Sequence, residues 1–465
     1  MRYRNSIEAA HRTTPIGARP GRGTASAGTR SGDVERVLLA LLVTLSLLLI
    51  LAVPAAAQDD WDDDDWGDEE SVLPVEIHGY AEAAGSSRIT DDPAMADDFL
   101  LGEARFRLDL AHYGDRAEFS FKGDFVSDAV LGETVIDIRR TWLNLQAASW
   151  LDMRLGRQVL TWGTGDLVFL NDLFAKDFQS FFIGRNDEFL KAPSNTLKFS
   201  AYSKPVNVDF AWTPVFTPDN YITGERLSYY DPMRGGLVGT DTSGASAPVP
   251  DKTFENGEFA TRLFRNAGSY ELAAYGYWGF FKQPLAYDTA IMSPTFSKLA
   301  VGGASVRGAT LGGLFNLEGS YYYSRDDSDG DDPFVPNSEI RGLVGYEREL
   351  VAKVTLGLQY YLEWLQQYDA LLENAPDPDS APNETRQMAT VRLTWRLMQD
   401  TLTLSLFGYV GLGDGDTHWR PSATRQLTDA VEITAGANIM TGPNDTFFGQ
   451  LENNSNAYLR VRYSF

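Results

Sequence analysis

The chain has 465 residues, 12% of them aromatic, with 42 glycines, no cysteine and a formal net charge of -24. Without cysteine it can hold neither a disulfide framework nor a thiolate metal centre. The acidic balance excludes nucleic acid, whose phosphates need clustered lysine and arginine, and suits a solvated surface.

An Arg-rich lead precedes "VLLALLVTLSLLLILAVPAAAQDD", an apolar run closed by small residues and followed at once by acids. This is the pattern of a secretory signal with cleavage after Ala57, so residues 1–57 are read as a signal peptide, against an uncleaved anchor. No second run of about 18 apolar residues follows, and a transmembrane helix is not expected in the mature chain. The mature chain would open on "QDDWDDDDWGDEE", nine acids in thirteen residues. Such a block repels itself and cannot pack a core, so residues 58–71 are read as a disordered periplasmic tail. Docking of a periplasmic partner, or of Ca²⁺, is the competing use of the same charges.

Residues 72–465 read as strands. Phe106, Leu108 and Leu110 alternate with Arg105, Arg107 and Asp109, and Phe119, Phe121 and Phe125 with Glu118, Lys122 and Asp124. The same two-residue period returns at 354–364, 391–397 and 431–439. Strands are predicted near 75–85, 99–113, 116–128, 134–147, 151–162, 195–203, 206–214, 257–266 and 269–279. The series continues at 297–307, 311–325, 338–348, 352–365, 385–397, 401–410, 417–426, 428–440 and 455–465. That makes about eighteen, with sixteen as the alternative, because the strand at 417–426 contains Pro421. Links after even-numbered strands are tight ("GD", "KP", "AG"), and most links after odd-numbered strands are long and polar. Segments of about ten residues with one apolar and one charged face, joined by turns and long loops in alternation, predict an all-β transmembrane antiparallel barrel.

The chain ends on "AYLRVRYSF". Its terminal Phe465, with Tyr463 two residues before and apolar residues at alternate positions upstream, resembles the C-terminal signal of outer-membrane proteins. That resemblance implies insertion into an outer-membrane bilayer by the barrel-assembly machinery. "MRLGRQVLTWGTGD" at Met153 to Asp166 and the stretch from Arg420 onward resemble porin-like outer-membrane families of Gram-negative bacteria, including the uncharacterised DUF1302 group and the alginate-export type. The resemblance implies a substrate-permeable barrel in the outer membrane, with a small molecule as permeant.

Loop 163–194 is too apolar to stand free in water. A short helix is expected around Leu167 to Phe182, and Phe169, Phe174, Phe178, Phe181 and Phe182 need cover. The loop is therefore expected to fold inward and narrow the pore, with an external cap as the other reading. Its Asp166, Asp172, Asp177 and Asp187 would face Arg139, Arg154 and Arg157 on adjoining strands, Gly156 marking a bulge that redirects Arg157. If the barrel closes, His78, Arg105, Arg107, Arg460 and Arg462 share one inner patch and could select permeants. Alternatively Glu76, Glu82, Asp109 and Glu432 neutralise them.

"RDDSDGDD" offers Asp327, Asp329 and Asp331 as oxygen ligands for Ca²⁺ in an external loop, though it lacks the twelfth-position Glu of an EF-hand. A solvated loop is the plainer account. No nucleophile elbow, H-E-x-x-H or phosphate-cradling loop is present, so no cofactor and no enzymatic activity is expected. A passive or selective channel for small polar or organic solutes is the leading reading. A barrel sleeve around a periplasmic partner and an outer-membrane hydrolase are the others.

Overall fold

The computed structural model describes residues 75–465, apart from 233, 241, 243–245 and 379–380. The segments read as signal peptide and acidic tail lie outside the described residues. The strands, in chain order, are β1 (Glu76–Arg88), β2 (Phe99–Tyr113), β3 (Ala117–Asp128), β4 (Glu133–Ala148), β5 (Leu151–Gln158), β6 (Ser194–Ala201), β7 (Asn207–Thr213), β8 (Tyr229–Asp231), β9 (Gly236–Val238), β10 (Glu258–Ala267) and β11 (Tyr270–Phe280). They continue as β12 (Ala286–Asp288), β13 (Ser293–Thr295), β14 (Lys298–Thr310), β15 (Gly313–Ser324), β16 (Glu339–Val351), β17 (Val354–Leu365), β18 (Thr385–Leu397), β19 (Leu402–Gly411), β20 (Thr417–Gln426), β21 (Val431–Thr441) and β22 (Asn456–Ser464).

Strands β8 with β9 and β12 with β13 are small hairpins inside loops; the other eighteen form one antiparallel sheet. Pairing of β1 with β22, from Tyr80 opposite Ser464 to Arg88 opposite Asn456, closes it into a barrel. Closure leaves no unpaired edge, which is the condition for a sheet in lipid. Tight turns at one end alternate with longer loops at the other, except that the loops at 129–132 and 412–416 are short. No helix among the described residues is long and apolar enough to cross a membrane.

The period of two decides which side each residue faces. Phe106, Phe125, Ile136, Leu155, Leu317, Leu358 and Leu459 are all exposed on the outer face. An apolar belt this extensive is not found on soluble monomers. Trp278, Tyr323 and Trp364 stand in it near the loop end and Trp150, Tyr202 and Trp395 near the turn end, matching the aromatic girdles of membrane barrels. Pro421 is accommodated within β20. It sits opposite Leu406 of β19, while the ladder to β21 lapses between Trp419 and Ser422, so its missing N–H falls at a break.

The main apolar core lies inside the barrel. Val168, Leu170, Phe181, Phe182, Ile183 and Leu190 from the segment after β5 pack on wall residues such as Leu101, Leu343, Met388 and Met440.

Candidate functional site

The chain leaves the wall after Gln158 and rejoins it at Ser194, so strand β5 is shorter than the alternation suggested. Between these points it crosses the lumen at mid-height. Glu318 on β15 accepts the amides of Thr164 and Gly165, the latter at 2.7 Å, and the side-chain amide of Asn171 at 2.8 Å. Gln359 on β17 accepts the amide of Asp166 at 2.7 Å, and Arg392 on β18 pairs with its carboxylate at 2.8 Å. Tyr409 on β19 donates to the Leu167 carbonyl at 2.9 Å. The loop is held because these wall groups face inward by strand phase: Glu318, Gln359 and Tyr409 meet backbone groups that would otherwise be buried unpaired, and Arg392 meets a carboxylate.

A short α-helix follows, α1 (Phe178–Ile183), capped by the Asp177 carboxylate on the Ser180 amide at 2.8 Å and ended by Gly184 at φ 90°. Helix was expected from Leu167, but Leu167 sits at φ 56° and the segment before Asp177 is irregular. Its carbonyls bond the wall instead of one another. The Phe182 carbonyl accepts the side-chain amides of Asn438 and Asn456 at 3.2 and 2.8 Å. The loop then returns over β2 and β4. Arg185 binds Glu103, with its Nε at 2.9 Å, Glu188 binds Arg107 at 2.8 Å, and Arg139 donates to the carbonyls of Glu188 and Lys191 at 3.0 and 2.8 Å.

The expected pairing of loop acids with Arg139, Arg154 and Arg157 is not what forms. Asp166 takes Arg392, and Asp187 takes Arg420 at 2.6 Å. Asp172 pairs with Lys176 at 3.0 Å, and Asp177 caps α1. Arg154 stacks over the Trp142 ring at 4.2 Å. Arg157 keeps the outward phase of Leu155 and donates to the Ile138 carbonyl. The β4–β5 register runs through Gly156 without a shift, so no bulge redirects it. The bulge lies in β4, where the register with β3 slips between Lys122 and Gly123. It turns both Arg139 and Arg140 inward: Arg139 reaches the loop and Arg140 the Ser120 hydroxyl.

Around the closure seam, Arg105, Arg107 and Arg462 share one wall with the returning loop. Asp124, fully buried, receives Arg105 at 2.7 Å and Arg107 at 2.5 and 2.7 Å. Arg105 also meets Glu103, and Arg462 meets Glu82 at 2.8 Å and Glu188 at 3.6 Å. Of the four acids suggested as neutralisers, Glu82 alone does so; Asp109 pairs with Lys122. His78 stands opposite Asp109 near the turn end, exposed and apart from the arginines. Arg460 differs from the rest. Its guanidinium lies over the Tyr458 ring at 5.5 Å, and among the described residues no carboxylate lies within ion-pair distance.

Two cavities flank the loop. On the turn side, a chamber of about 180 Å³ is lined by Arg185, Asp187, Arg392, Arg420, Arg460 and wall hydroxyls. On the loop side, a chamber of about 360 Å³ is lined mainly by aromatic and aliphatic side chains, with charged residues among them. Burial pushes the Asp187 and Glu188 carboxyls up, but Arg420 and Arg107 respectively outweigh it and hold both below the ordinary range. These loop acids therefore remain charged at neutral pH.

The acidic stretch proposed for Ca²⁺ is organised differently. Asp327 folds back on the amides of Gly330, Asp331 and Asp332 at 3.0, 3.2 and 3.3 Å. Its carboxylate closes a turn, and no group of three or more potential metal ligands converges among the described residues.

The residues that hold the loop, Glu318, Gln359, Arg392, Arg420, Glu103 and Glu188, were not singled out from the sequence. Strand phase marked the wall members as inward; nothing local marked their partners.

The closed barrel with its inward loop is similar to solved outer-membrane channels. OccAB4 of Acinetobacter baumannii superposes with a TM-score of 0.51 at 11% identity over 84% of this chain and 98% of that one. OccD3 of Pseudomonas aeruginosa gives 0.50 at 9% identity over 84% and 91%. The fold is a porin-like β-barrel. At such identities the likeness shows the fold alone. No protein-family profile and no curated protein matches the chain.

Proposed function

We propose that this porin-like barrel is an outer-membrane channel of a Gram-negative bacterium, passing small polar or organic solutes by passive or selective diffusion. The observation that carries the reading is the 159–193 loop, which crosses the lumen at mid-height between two chambers and is held by charged side chains from strands all round the wall. A barrel needs no such crossing to be stable in lipid, since closure already satisfies its backbone; a crossing restricts what passes. The turn-side chamber, where Arg185, Arg392 and Arg420 are each paired with a carboxylate and Arg460 has none within ion-pair distance among the described residues, supports a local preference for anions or for hydroxyl- and carboxyl-rich solutes. A sleeve around a periplasmic partner would need the lumen that the loop occupies. The apolar belt and terminal Phe465 support delivery by the barrel-assembly machinery.

Single-channel conductance in a planar bilayer tests the reading. The purified barrel should conduct, and deleting residues 166–193 should raise conductance while the barrel still folds. Silence from a folded barrel, or unchanged conductance after deletion, would contradict it.

A further inference from the structure

We propose that the loop-side chamber is a binding site for an uncharged, ring-bearing apolar solute, such as a monocyclic or bicyclic aromatic compound. The proposal deepens the channel reading and, for its role in permeation, rests on it. Eleven of the chamber's lining residues are aromatic, among them Phe169, Phe178, Phe281, Tyr361 and Phe447. Barrel lumens are ordinarily polar, so an aromatic chamber inside one calls for a reason. Packing supplies part of it, because the loop's buried phenylalanines share this wall. Packing alone would fill the space, yet about 360 Å³ stays open, within the range of ligand pockets.

Most charged groups of the chamber already hold partners, several of them outside its lining. Lys176 donates to the Asp172 carboxylate at 3.0 Å and to the Phe174 carbonyl at 2.6 Å. Lys282 pairs with Glu258 and donates to the Thr217 carbonyl at 3.0 Å. Arg341 is bound to Glu339 at 2.6 Å and lies over the Tyr322 ring. Arg386 faces Asp414 at 3.6 Å and lies over the Phe447 ring. The tyrosine tips are spent as well: Tyr322 donates to the Leu170 carbonyl, Tyr361 to Glu363 and Tyr409 to the Leu167 carbonyl. The chamber therefore presents ring and aliphatic faces beside polar groups most of which are already partnered. An ion entering it would lose hydration and have to compete with pairs already formed, whereas an apolar ring gains burial and offset or edge-to-face contacts.

Equilibrium binding of 1-naphthol to the full-length purified barrel tests this without requiring ion flow. Saturable binding is expected, insensitive to salt, and weakened roughly tenfold in Phe178→Ala and in Phe447→Ala, about the loss of one aromatic contact. Leu285→Ser, at the 54% exposed rim residue, replaces either variant should it fail to fold. Absence of saturable binding, or equal binding by all variants, as partition into detergent would give, overturns the proposal. So does salt-sensitive and tighter binding of 1-naphthoate, which would show that charge is recognised. A barrel that binds 1-naphthol but stays silent in a bilayer refutes the channel and leaves the site; one that conducts without binding does the reverse.

Discussion

Arg460 and Arg462 stand two residues apart on β22 and face the same lumen, but their surroundings set them different tasks. Arg462 is held by Glu82 and Glu188, so its charge is matched locally and contributes little to the field in the pore. Arg460 has an aromatic ring beside it and, among the described residues, no carboxylate within ion-pair distance, and it opens on the turn-side chamber. In a salt gradient across a planar bilayer, Arg460→Gln should move the reversal potential toward cations. Arg462→Gln should move it less, and should instead destabilise the barrel by roughly 3–5 kcal/mol, because it strands the buried Glu82. Equal shifts from the two variants would mean that local pairing does not govern the pore field.

At the scale of elements, the inward loop is stable only through the groups that meet it. Glu318 takes two backbone amides and one side-chain amide, and Glu318→Ala would leave these donors facing a gap. The cost is about 1–3 kcal/mol per unsatisfied donor, to be seen as added open-channel current noise with the barrel intact. A second contact ties this loop to the loop after β7. Lys176 donates its amide to Asp219 at 2.7 Å, and Asn220 donates to the Lys176 carbonyl at 2.8 Å. Burial pushes the Asp219 carboxyl up to about 6, with Lys176 and Lys282 opposing that rise. An acid with a raised value in the docked state binds its proton more tightly there than when released. Docking is therefore strongest below the ordinary carboxylate range and weakens as pH rises through about 6, by roughly 3 kcal/mol. Hydrogen exchange at Phe178 and Asn220, corrected for intrinsic rates, should be slower at acidic than at neutral pH. Asp219→Asn should abolish the difference.

For the whole molecule, the seam between the first and last strands decides whether a barrel exists. Phe465 exchanges backbone hydrogen bonds with Gly79 at 3.0 and 3.1 Å, and its ring stacks on Phe106 with centroids 5.8 Å apart. Gly79 is glycine because a Cβ there would meet the Phe465 ring at 2.5 Å and crowd the Arg107 carbonyl. Gly79→Val should therefore displace Phe465 and impair closure. The wild-type barrel should migrate differently with and without boiling in detergent gels, and the variant should lose part of that folded band. Full retention would show that the terminal ring is dispensable to the seam.

The sequence by itself determined the strands, their facing and the alternation of turns with loops. Side-chain direction in a strand is a local consequence of the backbone, and a wall between lipid and water writes that consequence into every second residue. Even Pro421 did not mislead, since one lapse in a ladder leaves the period intact. The same logic placed Arg105, Arg107, Arg460 and Arg462 on the inner face, and the apolar content of the loop pointed it inward. Only the tertiary structure decided who pairs with whom. Asp166 and Arg392 are 226 residues apart, and Arg420 and Asp187 are 233 apart; no spacing rule joins them, because their meeting depends on how the loop threads a closed lumen. Arg157 illustrates the limit. A bulge is a relation between two strands, and Gly156 read alone could not show that the slip belongs to β4, where it turns Arg139 toward the loop and leaves Arg157 outside.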